Sequence, residues 1–165
     1  MPRLNEMKDK INMLHDITLR LGSEAATVQA GKLFSNSVRS GLTVYLSGNL
    51  GAGKTTFVRG ILHGMGFSGR VKSPTYTLLE PYQFSKSMLY HFDFYRFNDT
   101  EEWEAAGFRD YFNPASICLV EWPEKAGYLL PKADVHVHIL SCDEGRLMQF
   151  VAHSILGCTC LTCFE

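Results

Sequence analysis

The sequence has no long apolar run and no excess of positive charge. None of its 165 residues lies in a stretch approaching the roughly 20 apolar residues that cross a membrane. The segment before residue 16 mixes charges with short apolar pieces and has no signal-peptide core, so we expect a cytoplasmic protein. The formal net charge is -1, whereas proteins that grip nucleic acid unaided carry a basic excess. We therefore expect neither a membrane protein nor a DNA-binding protein.

Internal repeats and low-complexity linkers are also missing, and the length suits one domain of roughly 100–200 residues. We expect an N-terminal extension over residues 1–15, one folded domain over 16–157 and a cysteine-rich tail over 158–165. Three of the five cysteines lie in that tail. Structural zinc prefers four ligands, so the sequence favours a disordered, reduced tail over a zinc site.

Strand-like and helix-like segments alternate along the chain. The patterns predict strands over 16–21, 42–48, 76–84, 88–97, 115–122 and 133–140, a weaker strand over 146–154, and helices over 23–38, 54–66 and 99–107. This alternation indicates an α/β sheet with parallel elements. The hairpin-like pairs indicate that some strands run antiparallel, so we expect a mixed, partly parallel sheet.

The segment GNLGAGKT, residues 48–55, matches the motif G-x-x-x-x-G-K-[ST] in full. Its glycines allow a tight turn that presents backbone N–H groups to phosphate oxygens. The following helix directs its N-terminal dipole at the same phosphates. In such a loop Lys54 reaches the β- and γ-phosphates, and the hydroxyl of Thr55 binds Mg²⁺. The motif lies between a buried strand and a helix, so we expect a P-loop ATPase domain over 16–157.

Magnesium in such a site needs a carboxylate in addition to Thr55. The apolar run of LYHFDFYR ends near Asp93, and that of ICLVEW ends at Glu121. An acidic residue at the end of a buried strand is the usual ligand. Each carboxylate on its own is also compatible with a strand end that faces solvent.

The segment VKSPTYTLLEPY has two interpretations. Pro74 holds Ser73 extended, and hydroxyl groups cluster directly after it. Thr75 could sense a γ-phosphate, as switch loops do. The spacing alone favours the simpler interpretation, which is a proline-initiated turn into a strand.

The nucleotide is expected to be ATP, because we find no N-K-x-D motif of the guanine-specific proteins. Two classes of ATP-using protein then remain open. A small-molecule kinase would use Lys54 and Mg²⁺ to hold ATP while a base deprotonates a bound hydroxyl. A regulatory ATPase would use hydrolysis to change the conformation of a partner.

Five blocks of sequence, in order, resemble the TsaE family, the P-loop ATPases of bacterial tRNA threonylcarbamoyladenosine synthesis. The blocks are GNLGAGKTTFVRG, VKSPTYTLLEPY, YHFDFYR, GFRDYF and ICLVEWPEKA. The resemblance covers roughly residues 16–140. It implies a P-loop NTPase-like three-layer fold and a Mg²⁺-dependent ATPase that is slow by itself.

The resemblance also implies a partner, the TsaB–TsaD heterodimer. That heterodimer transfers a threonylcarbamoyl group to adenosine 37 of tRNA, and the TsaE protein does not perform the transfer. Its ATP hydrolysis is expected to reset the complex between turnovers. The near-neutral charge agrees with this expectation, because the partner would hold most of the tRNA.

The family resemblance also assigns roles to particular residues. Thr55, Asp93 and Glu121 would ligate Mg²⁺ directly or through water, and either carboxylate could orient the attacking water. Trp122 would lie near the nucleotide. The remaining contacts to ATP would come from the loop residues Gly48, Asn49, Leu50, Gly51, Ala52, Gly53, Lys54, Thr55 and Thr56, from the switch-like Thr75 and Tyr76, and from Glu24 and Thr27 near the adenine.

Overall fold

The computed structural model describes residues 16–165, so the predicted N-terminal extension over 1–15 lies outside the described residues. The strands are β1 Asp16–Leu21, β2 Thr43–Ser47, β3 Leu79–Gln83, β4 Met88–Asp93, β5 Ser116–Glu121, β6 Val135–Cys142 and β7 Gly145–Ala152. The helices are α1 Glu24–Ser35, α2 Lys54–Gly64, α3 Thr100–Ala106, α4 Pro123–Ala126 and α5 Ile155–Leu161. None of these helices is long and apolar enough to cross a membrane.

All seven described strands form one sheet in the order β1-β7-β6-β2-β5-β4-β3. The four central strands β6, β2, β5 and β4 are parallel. Strand β7 pairs antiparallel with β6 and with β1, and β3 pairs antiparallel with β4. The predicted mixed sheet is therefore confirmed, and the carboxyl ends of its parallel strands share one edge, where ligands bind in α/β folds.

Side chains of alternate residues separate the two faces of the sheet. Val44 and Leu46 of β2 belong to a core that includes residues of α1, α2 and α5. Tyr45 and Val120 belong to a second core with Trp103 of α3 and the surrounding aromatic side chains. Because a strand directs successive side chains to opposite faces, these two cores lie on opposite sides of the sheet. The three-layer α/β architecture expected from the sequence is confirmed.

Helices α1 and α2 approach closely because glycine lies at their crossing. A Cβ atom on Gly31 would lie 2.5 Å from the carbonyl oxygen of Phe57 and 2.8 Å from Cα of Gly60. A Cβ atom on Gly60 would collide with the carbonyl oxygen of Val28. The obstructing atoms belong to backbone and cannot rotate away, so only glycine permits this contact.

We expect the substitution Gly60→Ala to destabilise the fold. Overpacking of this kind costs about 1–3 kcal/mol, which corresponds to a melting temperature lower by roughly 3–10 °C for a chain of this size. Thermal unfolding followed by circular dichroism measures this shift. Gly22→Ala is the matched control, because a Cβ atom there meets nothing within 4 Å. Equal stability of the two variants would contradict the close helix crossing.

Two strands are shorter than the sequence patterns predicted. The strand expected over 76–84 begins at Leu79, because the backbone N–H of Leu78 donates to the carbonyl of Pro74 at 2.7 Å and closes a turn. The strand expected over 88–97 ends at Asp93, whose carboxylate accepts a 3.0 Å bond from the N–H of Tyr95. Both departures are turns made by local hydrogen bonds, which period-two patterns do not reveal.

The prediction of a disordered tail is wrong. The expected boundary after residue 157 falls inside helix α5, which Ser154 caps by accepting a 2.9 Å bond from the N–H of Gly157. Cys158 and Cys160 are buried, and the ring of Phe164 packs 4.8 Å from that of Phe150. Buried cysteine behaves as a small apolar residue, so the cysteines that suggested an exposed tail complete the core instead.

Candidate functional site

The phosphate loop joins the end of β2 to the start of α2. Gly53 has φ 113°, a left-handed conformation that L side chains rarely adopt. A Cβ atom at this position would also collide with the guanidinium of Arg146. Helix α2 begins directly afterwards at Lys54, so its free backbone N–H groups open toward the loop. The local geometry is therefore a tight glycine turn that leads directly into a helix N-terminus, as the motif predicted.

Lys54 is buried beside this loop. Its ammonium Nζ donates to the carbonyl oxygen of Gly48 at 2.5 Å and to that of Asn49 at 2.9 Å. The same ammonium lies 4.3 Å from the ring centroid of Trp122, in cation–π distance. Burial lowers the pKa of Lys54, and the negative charges of Glu121, Asp93 and Glu124 oppose that shift.

The two predicted carboxylates lie side by side. Asp93 and Glu121 are register partners at the ends of the parallel strands β4 and β5, and each is 2% exposed. Glu121 Oε1 accepts a hydrogen bond from the hydroxyl of Thr55 at 2.7 Å. It also lies 3.1 Å from Nε2 of the fully buried His91. The structure thus joins the loop threonine directly to one strand-end carboxylate.

Asp93 connects instead to the segment around Pro74. Its Oδ2 atom accepts hydrogen bonds from the hydroxyls of Ser73 at 3.2 Å and Thr75 at 3.0 Å. Tyr76 points away and is 80% exposed, and the guanidinium of Arg96 lies 4.4 Å from its ring. The segment is both the proline-initiated turn favoured by the spacing and a direct partner of one carboxylate.

Trp122 is held by an unusual backbone. It has φ 56°, which is rare for a bulky residue, and it directly precedes helix α4. Its ring packs 5.0 Å from that of Tyr95 and covers the ammonium of Lys54. Such backbone strain persists where surrounding structure enforces it, and it is common at functional sites.

These groups line one cavity of about 340 Å³. The predicted residues that line it are Glu24, Leu50, Gly51, Gly53, Lys54, Thr55, Thr56, Thr75, Asp93, Glu121 and Trp122. Sequence reasoning missed three others, namely Ser73, Tyr95 and Arg146. Each of the first two lies two residues from a predicted position, so proximity in sequence was a usable signal. Arg146 follows an unremarkable turn and offered none.

Five predicted residues do not line the cavity. Gly48, Asn49 and Ala52 belong to the loop, and two of them bind Lys54 through their carbonyls. Tyr76 points outward, as described above. Thr27 is fully buried, and its hydroxyl donates to the carbonyl of Ser23 at 3.2 Å. The structure therefore does not bring the Thr27 side chain to a nucleotide, because that residue lies on the inner side of α1.

The donor set fits magnesium. Mg²⁺ takes oxygen ligands and is held by one or two carboxylates together with phosphate oxygens and water. Thr55 and Glu121 place a hydroxyl and a carboxylate 2.7 Å apart, beside the second carboxylate of Asp93. No group of three His, Cys, Asp or Glu side chains within residues 16–165 could hold a metal ion. An ion bound here would therefore complete its shell with the hydroxyl, phosphate and water.

The fold and the loop together define an α/β protein with a glycine-rich loop between a parallel strand and a helix. Residues 21–148 match the family described as "Threonylcarbamoyl adenosine biosynthesis protein TsaE". A Haemophilus influenzae protein named "tRNA threonylcarbamoyladenosine biosynthesis protein TsaE" is 44% identical over 157 residues, covering 92% of this chain and 99% of its own length. A Bacillus subtilis protein of the same name is 37% identical, over 76% of this chain and 79% of its own.

A solved structure agrees with the sequence relatives. The crystal structure of Bacillus subtilis YdiB superposes with a TM-score of 0.74 at 28% identity, covering 90% of this chain and 94% of that one. The chain belongs to the TsaE family, which takes part in the biosynthesis of threonylcarbamoyladenosine in tRNA. The resemblance seen in the five sequence blocks is confirmed.

Proposed function

We propose that this chain is a Mg²⁺-dependent ATPase of the cytoplasm that serves the TsaB–TsaD complex during threonylcarbamoylation of adenosine 37 of tRNA. The observation that carries the ATPase proposal is the 2.7 Å bond between the Thr55 hydroxyl and Glu121, next to a complete phosphate loop. Family membership supports the pathway. The net charge of -1 supports an indirect contact with tRNA, through the partner.

Each side of the cavity has a distinct part in the proposed reaction. Lys54 and the loop amides bind the terminal phosphates and stabilise the charge that develops on the transferred phosphoryl group. Thr55 and Glu121 hold Mg²⁺, which neutralises charge on the phosphates when it is bound. The Lys54 ammonium is covered by Trp122, so it is shielded from water and interacts more strongly with phosphate.

Asp93 is proposed to have a separate part, because its partners differ from those of Glu121. Its carboxylate accepts from Ser73 and Thr75 and from the N–H of Tyr95. A γ-phosphate that contacts Thr75 would compete with Asp93 for the same hydroxyl. The segment around Pro74 would then report whether ATP or ADP is bound. This arrangement suits an ATPase whose hydrolysis resets a partner between turnovers.

We expect Thr55→Ala to weaken binding of Mg²⁺–ATP by about tenfold and binding of ATP in EDTA far less. A hydrogen bond or ligand contact to a charged group is worth about 1.5–3 kcal/mol, and here it involves only the metal-bound nucleotide. Titration calorimetry with and without Mg²⁺ measures both affinities. Thr55→Ser should retain the wild-type values, and Thr159→Ala, at an exposed position of helix α5, is the control. Equal losses in both conditions would mean that Thr55 is not a metal ligand.

The pathway role is tested by reconstitution. Limiting TsaB–TsaD is combined with a tRNA substrate and the threonylcarbamoyl-adenylate donor. The modified nucleoside is quantified by mass spectrometry. We expect the wild-type chain to raise the yield beyond one turnover of TsaB–TsaD, and Lys54→Ala to fail to do so. A yield that rises equally with Lys54→Ala would contradict a role for ATP hydrolysis in resetting the complex.

A further inference from the structure

One basic side chain of the cavity has no part in the reaction as described so far. Arg146 is the second residue of β7, and its guanidinium packs against Gly53 of the phosphate loop. Its Nε atom is buried and has no hydrogen-bond partner among residues 16–165. A buried donor of this kind costs free energy unless a partner satisfies it. Arg146 is therefore a candidate ligand-binding residue on geometric grounds.

The sheet order places Arg146 on the opposite side of the loop from the carboxylates. The phosphate loop follows β2. On one side of β2 lie β5, which ends in Glu121, and then β4, which ends in Asp93. On the other side lie β6 and then β7, which carries Arg146, followed by β1, the strand that precedes α1. Glu24, at the start of α1, also lines the cavity and already pairs with Arg59 at 3.1 Å. One side of the cavity is therefore acidic, and on the other side Arg146 can donate hydrogen bonds to a ligand.

We infer that Arg146 binds the phosphate nearest the ribose, the one that ADP and ATP share. This inference rests on the proposed ATPase function. The terminal phosphates belong with Thr55 and Glu121, because these residues would hold the Mg²⁺ that neutralises phosphate charge. A nucleotide held in that direction directs its nucleoside end toward β7. The planar guanidinium, with its several N–H donors, suits phosphate oxygens in a charge-assisted contact.

The inferred contact differs from the role of an arginine that stabilises the transferred phosphoryl group. Such an arginine acts on the γ-phosphate and mainly raises kcat. Arg146 would instead stabilise ADP and ATP alike, with and without Mg²⁺. If Arg146 only supported the loop structurally, its replacement would lower the free energy of unfolding. It would not weaken ADP and ATP by the same factor with and without Mg²⁺.

Titration calorimetry with ADP and with ATP, for the wild type, Arg146→Ala and Arg146→Lys, tests the inference. Arg146→Ala should weaken both nucleotides by a similar factor, roughly tenfold to a hundredfold, in Mg²⁺ and in EDTA. KM for ATP should rise by more than kcat falls, and Arg146→Lys should recover part of the affinity. Arg20→Ala, on the exposed face of neighbouring β1, is the control and should bind as the wild type does.

Two results would overturn the inference while leaving the ATPase proposal in place. One is wild-type affinity for ADP in Arg146→Ala. The other is a loss confined to ATP or to kcat, which would assign Arg146 to the γ-phosphate. A wild-type chain that binds neither nucleotide would instead remove the proposed function itself, and the inference with it.

Discussion

Replacing Lys54 with alanine is expected to abolish ATP turnover, lowering kcat by at least about a hundredfold, the loss typical of a preorganised charge that stabilises a transition state. The Lys54 ammonium is buried between two loop carbonyls and the ring of Trp122. A water molecule in place of this ammonium would carry no positive charge, so it would stabilise the charge on the phosphates far less. Release of inorganic phosphate under saturating ATP measures the effect.

The exposed Lys86, in the turn between β3 and β4, provides the matched control for the removal of one positive charge. Lys86→Ala should hydrolyse ATP as the wild type does. Thermal unfolding should show that Lys54→Ala remains folded. The substitution removes one buried charge from the protein and leaves the apolar core intact. Near-normal hydrolysis by folded Lys54→Ala would overturn the assignment of the site.

The second large effect is expected at Glu121. Comparing Glu121→Ala with Glu121→Gln should separate the contribution of this side chain to stability from its contribution to ATP turnover. Glu121→Ala leaves the hydroxyl of Thr55 and the buried His91 without their acceptor. An unsatisfied buried group costs about 1–3 kcal/mol, so this variant should be both less stable and inactive. Glu121→Gln keeps an acceptor oxygen and loses the charge, so it should stay close to wild-type stability and still lose Mg²⁺-dependent turnover by about a hundredfold or more.

Urea unfolding and hydrolysis measured across a range of Mg²⁺ concentrations distinguish these outcomes. Glu104→Gln is the control, since Glu104 is exposed and its nearest cation, on Arg109, is 3.7 Å away. If Glu121→Gln hydrolyses ATP normally, the carboxylate is not part of the metal site. If Glu121→Ala is as stable as the wild type, the buried contact with His91 contributes nothing to folding.

The sequence was sufficient for the parts of the site that lie within one motif or at one strand end. The loop from Gly48 to Thr55 has the predicted conformation because its glycines and following helix are encoded locally. Asp93 and Glu121 were both anticipated as strand-end carboxylates. Their pairing as neighbours depends on the order of strands β4 and β5, which a single sequence does not specify.

Features made by distant segments could not be found in this way. Arg146 reaches the loop only because β6 ends at the carboxyl edge of the sheet and antiparallel β7 begins there, which places its second residue beside Gly53. Glu24 and Thr27 lie in the first turn of the same helix, but only the three-dimensional packing decides that Thr27 is fully buried. The cysteines of α5 suggested a disordered, reduced tail, whereas their burial shows that they pack as apolar residues.

A partner is expected to activate this chain as an ATPase, and the rate of ATP hydrolysis, measured for the chain alone and with TsaB–TsaD added, tests this expectation. We predict slow hydrolysis by the isolated chain, a rate at least about tenfold higher with the partner, as for NTPases completed by a second protein, and no stimulation of Lys54→Ala. An unchanged rate together with no association between the proteins would contradict activation by this partner. The alternative of a small-molecule kinase would then be the one to pursue.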